Sequence, residues 1–138
     1  MKPALLAAWL ALPCAALAQP SDRWPDTCPK AAEVVQRHLL GLWHAQFEGL
    51  PRGATLLLEP HPELKESVHG EVDRNGERTP VTGDVDEGEF TLEESHNGTN
   101  ISAVWLGDVV EGSCGREIRG TWQAEDDPRH WPFVLRKR

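Results

Sequence analysis

The chain of 138 residues is 39% hydrophobic and 26% charged, with 14 basic against 22 acidic residues. That suffices for one domain with a packed core and not for two, which excludes a multidomain enzyme. The negative balance argues against nucleic acid as a partner, since that affinity comes from basic groups that neutralise phosphates.

The start, Met1-Lys2-Pro3, leads into an apolar run from Ala4 to Leu12 and a small-x-small site, Ala16-Leu17-Ala18. This is the pattern of a secretory signal peptide over residues 1–18, cleaved after Ala18, and it implies a secreted or periplasmic product. The run is interrupted by Pro13 and falls short of the ~20 residues of a membrane span, and no later segment comes close. Removing a segment that carries Lys2 and no acid leaves 120 residues with 13 bases against 22 acids, net −9. Cys14 goes with it, and the remaining Cys28 and Cys114 read as one structural disulfide in an oxidising compartment.

Residues 19–28 are Pro-rich and polar, an extended lead-in. Thr27 as a cap, Pro29 at an early helical position and an apolar stripe of Ala31, Ala32, Val34, Val35 and Leu39 predict one amphipathic helix over 29–40, stopped by Gly41. The period then changes to two. Trp43, Ala45 and Phe47 alternate with polar residues, followed by Ala54, Leu56 and Leu58, then Val68, Gly70 and Val72. After a turn at Arg74-Asn75-Gly76 come Val81, Gly83 and Val85, a Glu87-Gly88 turn, and Phe90 and Leu92. Ile101, Ala103 and Trp105 follow a turn at His96–Thr99. A loop over 107–115 carries Cys114, and Ile118, Gly120 and Trp122, then Trp131, Phe133 and Leu135, complete the series. Eight short strands in sequence predict a mainly β fold, a small antiparallel eight-stranded meander closed into a barrel over 42–136, with one N-terminal helix and a single domain over 29–138.

Gly41-Leu42-Trp43 resembles the G-x-W signature that opens the barrel in lipocalins and avidins, the calycin-type group of eight-stranded up-and-down barrels. The resemblance implies that Trp43 closes one end of the barrel beneath a short N-terminal helix. It also implies that a basic side chain near the last strand, Arg136 or Lys137, packs across the indole.

Inward parity gathers Trp43, Trp105, Trp122 and Trp131 with Phe47, Phe90 and Phe133. They either fill the barrel as its core or line a pocket for a small apolar molecule, with Trp43, Trp105, Trp122 and Phe90 as candidate ligand contacts. Inward Gly70, Gly83 and Gly120 would make room for either outcome. Charge is the other signal. Between Glu59 and Glu94 stand 12 acids and 3 bases, while the rest of the mature chain balances at 10 and 10. Glu71, Asp73, Asp84, Asp86, Glu89 and Glu93 take outward parity on neighbouring strands. Such a wall either keeps the protein soluble or attracts a basic protein, in the general manner of exported barrel inhibitors of lysozyme.

Other chemistry finds less support. Asp84–Glu89 has alternating carboxylates and a glycine, as in a calcium loop, but lacks the third spaced oxygen ligand and the distant bidentate Glu, and a hairpin turn explains the same residues. His38, His44, His61, His69, His96 and His130 lack zinc-site spacing, and no serine sits in a nucleophile elbow. Paired carboxylates of a glycosidase need a cleft that so short a barrel does not offer. The expectation is a non-catalytic binding protein without metal or cofactor, for a small apolar molecule inside the barrel or, alternatively, for a basic protein on the acidic wall.

Overall fold

The computed structural model describes residues 28–138 together with residues 3 and 4. The signal peptide expected over 1–18 and the lead-in before Cys28 otherwise lie outside the described residues. Eight strands follow one another: β1 (Gly41–Phe47), β2 (Ala54–Pro60), β3 (Val68–Arg74), β4 (Glu77–Asp86), β5 (Glu89–Glu94), β6 (Ala103–Val109), β7 (Glu117–Ala124) and β8 (Trp131–Lys137). Each pairs antiparallel with its neighbour in the chain, and β1 pairs with β8 to close a barrel. The alternation explains the register. Val68, Val72, Val81, Phe90 and Leu92 are buried while Glu71, Asp84 and Glu93 are exposed, and a slip of one residue would invert every side chain.

Two hairpins are two-residue turns with positive φ at both central positions: Asn75 and Gly76 (55° and 90°) between β3 and β4, Glu87 and Gly88 (47° and 84°) between β4 and β5. This is the type I′ geometry, whose twist matches that of the flanking strands. The acid-rich stretch Asp84–Glu89 is therefore a hairpin in which Asp86 pairs with Glu89.

Side chains fill the barrel. Trp43, Leu56, Leu58, Phe90, Leu92, Trp105, Ile118 and Leu135 are each at most 1% exposed. Phe47 and Phe133 meet the Trp105 ring at centroid distances of 5.3 and 5.0 Å in tilted or edge-on contacts. Gly70, Gly83 and Gly120 serve differently from the expectation. A Cβ at these positions would lie 1.8 Å from Leu57 O, 2.1 Å from Thr91 O and 1.9 Å from Leu106 O. They let adjacent strands bend closely past each other, as tight barrel corners require, rather than opening space inside.

The single helix expected over 29–40 does not form. A 3-10 turn (Ala31–Glu33) and a one-turn helix α1 (Gln36–Leu39) are separated by extended backbone at Val34 and Val35 (ψ 126° and 177°). Two consecutive β-branched residues favour the extended form. The break sends Val34 and Leu39 into the core and leaves Val35 42% exposed, which a continuous stripe would not. The segment is instead a strap across one end of the barrel. The Cys28–Cys114 disulfide ties it down, with Cα atoms 4.3 Å apart. Ala31 N–H donates to Glu111 Oε2 (3.0 Å) and the Gln36 amide donates to Ser67 O (2.7 Å). Two strand limits also differ from expectation. Ile101, expected in a strand, precedes β6 and is 42% exposed, whereas Gly107, expected in the loop, belongs to β6, where it pairs with Phe90 and Gly120.

Candidate functional site

At the strapped end, the first buried residue of β1 is Trp43, with no exposed surface. Its indole N–H donates to Leu39 O at 2.7 Å. Lys137 Nζ stands 5.8 Å from the indole centroid and donates to His38 O at 2.8 Å. Of the two basic residues considered for this place, Lys137 fills it. Arg136, one position away, has the opposite parity and donates to Glu117 Oε1 on the outer surface at 2.8 Å. Burial, then the charge of Arg116, holds the Lys137 ammonium below its ordinary pKa. His38 is also held low, by burial first and then by Arg37 and Lys137. Its Nδ1 accepts the Val35 N–H at 2.9 Å, which requires that nitrogen unprotonated.

The opposite end is built from charged groups at inward parity. In β3 the series Val68, Gly70, Val72 continues to Arg74, and in β5 the series Phe90, Leu92 continues to Glu94. Glu94 is 2% exposed, and the Arg74 guanidinium binds both its oxygens, one at 3.0 Å. The indole N–H groups of Trp105 and Trp122 donate to Glu94 Oε1 at 2.9 and 3.3 Å. Arg74 Cζ lies 4.9 Å from the Trp122 centroid and 5.9 Å from that of Trp105. A buried carboxylate is tolerable only when paired and hydrogen-bonded, and this one is both. The pair bridges the ends of β3 and β5 across β4 and forms a polar floor above the packed aromatics.

Over that floor opens a cavity of about 520 Å³. Its inner wall includes Arg74, Thr79, Glu94, Ser102 and Trp122, and its exposed rim includes Glu77, His96, Glu125 and Asp126. The Ser102 Oγ is buried without a hydrogen-bond partner.

Of the candidate ligand contacts, Trp43, Trp105 and Phe90 belong to the packed interior, and half-buried Trp122 lines the cavity. Glu71, Asp73, Asp84, Asp86, Glu89 and Glu93 lie on the outer face of β3, β4 and β5. Arg78 stands 3.9 Å from Glu71 and 3.4 Å from Asp73. Among the described residues, no ion pair engages Asp84, Asp86, Glu89 or Glu93. Asp86, Glu89 and Asp108 stand abreast in register on β4, β5 and β6. No group of three or more His, Cys, Asp or Glu among the described residues is arranged to hold a metal ion. Arg74, Thr79 and Glu94 escaped the sequence reading, although strand parity carried one step further places all three inward.

No protein-family model matches the chain, and no curated protein matches it. What is established is the architecture, a closed eight-stranded antiparallel up-and-down barrel compatible with a calycin-like fold.

Proposed function

We propose that this is an exported, non-catalytic binding protein of calycin type that takes a small molecule at the open mouth of its barrel, resting an apolar part of the ligand on Trp122. The observation that carries this reading is the cavity of about 520 Å³ above the Arg74–Glu94 pair, with an indole on its wall and hydrogen-bonding groups beside it. Ligand pockets typically combine an apolar surface with a few placed polar groups, and barrel mouths are a preferred location. The packing of Trp43, Trp105 and Phe90 favours the mouth over the interior as the place for an apolar guest. A screen of small apolar and amphipathic compounds by tryptophan fluorescence tests it. A hit should alter the emission of the native protein, and Trp122→Leu should abolish binding while the chain stays folded. Hits that bind Trp122→Leu as tightly as the native protein exclude the mouth.

A second reading has its own observation, the row of Asp86, Glu89 and Asp108 beside Asp84 and Glu93 on one outer wall. Such a field steers a basic protein onto the wall, with an association rate that falls as salt rises. Charge reversal at Asp84 and Asp86 should slow that association. Capture of a basic protein that ignores both salt and reversal removes the wall from the mechanism.

A further inference from the structure

Away from the mouth, the outer face of β1 and β2 carries an apolar pair among polar neighbours. Leu42 and Leu57 are 47% and 41% exposed and stand directly opposite each other in the β1–β2 register, near enough to form one patch. Single exposed apolar residues are ordinary on a surface, whereas a contiguous patch rimmed by polar groups is the form an interaction site takes. The rim has a different sign on each side. Toward β8, exposed Arg138, just past the strand, donates its N–H to Leu42 O at 2.9 Å, and Arg136 stands opposite His44. Toward β3, Glu71 stands opposite Leu57 and Asp73 opposite Thr55. Across the strands the face reads Arg138, Leu42, Leu57, Glu71 in one row and Arg136, His44, Thr55, Asp73 in the next. Arg138 forms no ion pair among the described residues, and Glu71 has Arg78 at 3.9 Å, both groups in contact with solvent.

That order is complementary to itself. A two-fold axis running lengthwise between β1 and β2 carries the β8 side of one molecule over the β3 side of a second. We propose that this face pairs with a second copy of the chain: Leu42 of each copy packs on Leu57 of the other, Arg138 meets Glu71, and Arg136 meets Asp73. The leucines supply an apolar centre and the charges a polar rim, as in protein interfaces generally. A barrel wall is convex, so the flanking strands curve away from the contact, and long arginine and glutamate side chains are the ones that span the widening gap. A contact centred on four leucines is small and makes a weak dimer, formed at high protein concentration. Leu42 adjoins Trp43 at the strapped end, so the pairing leaves the mouth open and stands apart from what binds there.

Sedimentation equilibrium of the disulfide-bonded mature protein, up to about 1 mM, tests it. A reversible monomer–dimer equilibrium is expected, and Leu42→Thr with Leu57→Thr, a change at exposed strand positions that keeps the fold, should leave only monomer. The charges supply the sharper test, because symmetry makes every rim contact occur twice. Arg138→Glu alone and Glu71→Arg alone should each weaken the dimer about tenfold by setting like charges opposite each other. An equimolar mixture of these two variants should associate about as well as the native chain, since every reversed residue then faces an opposite charge, and so should the chain that carries both reversals. Rising salt should shrink the difference between the single variants and the native protein. A native chain that stays monomeric at about 1 mM overturns the proposal. A dimer that persists without the two leucines places the interface elsewhere, and a mixture no stronger than its components overturns the two-fold arrangement. Leucine-dependent binding of a monomer to phosphatidylcholine vesicles, without self-association, gives the patch to a lipid surface and overturns the pairing.

Discussion

At the Trp43 end of the barrel the opening is shut by a strap fixed through a disulfide, and the indole beneath it has its N–H satisfied by Leu39 O. At the Trp122 end no strap crosses among the described residues. The interior stops at an ion pair, and the indole N–H groups are spent on Glu94. The same residue type thus takes two roles. Trp43 is packing with one fixed hydrogen bond, while Trp122, half-buried with the Arg74 guanidinium over its ring, lines a cavity. The charged groups divide likewise. Lys137 is used up covering Trp43, whereas Arg74 is held in place by Glu94 and leaves Glu77, Glu125 and Asp126 without an ion pair among the described residues. One end is organised for stability, and the other retains polar groups that a ligand can address.

The largest effect should come from releasing the strap. The disulfide spans a sequence separation of 86 residues. In the chain-entropy description, replacing both Cys28 and Cys114 by Ser should lower unfolding free energy by ~4–5 kcal/mol, measured by urea denaturation. Intact mass should rise by two hydrogens on reduction, and two alkylatable thiols in the unreduced protein would contradict the bridge. Trp43→Ala should cost ~3–5 kcal/mol through loss of a large buried side chain. A variant that unfolds at the wild-type midpoint would show that the strapped end does not depend on it.

Breaking the other end should cost less, since Arg74 is partly in contact with solvent. Glu94→Leu should lower stability by ~2–3 kcal/mol by leaving Arg74 unpaired, and adding Arg74→Leu should restore part of that loss. Strict additivity in this double-mutant cycle would mean that the pair is not coupled.

Acidification should distinguish the two ends more gently. The folded state holds His38 below its ordinary pKa of 6.5, so the unfolded chain binds the proton first. Stability should therefore decline as pH falls below about 6.5 and level off once the folded His38 is itself protonated. Denaturation midpoints of the His38→Gln variant should lack that component. The smallest effect on stability should come from Asp84→Lys with Asp86→Lys on the exposed wall, within about 0.5 kcal/mol, because both are exposed and neither forms an ion pair among the described residues.

The barrel was legible in the sequence because each strand states its inner face locally. Val68, Gly70 and Val72 against His69, Glu71 and Asp73 need no knowledge of a partner. The strap was misread because its apolar residues match a helical stripe, and only the backbone preference of adjacent Val34 and Val35 breaks it. The candidate site was harder. Arg74 looks like the start of the Asn75-Gly76 turn and Glu94 like one acid among many. Their meeting depends on the register of β3, β4 and β5 together, which places two strand ends side by side. Local alternation gives the direction of a side chain and says nothing about what faces it across the barrel.

Closure itself has a temporal consequence. Every strand pairing but one joins neighbours in the chain, and the exception sets Trp43 opposite Lys137. Local hairpins close with little loss of chain entropy, while this seam must draw together segments separated by nearly the whole domain. Until β8 emerges, a growing chain presents the bare margin of β1 and that of whichever strand was made last, each a row of unpaired amide groups open to another molecule. Protection against edge-to-edge association arrives only with β8, the strand that carries the lysine onto Trp43.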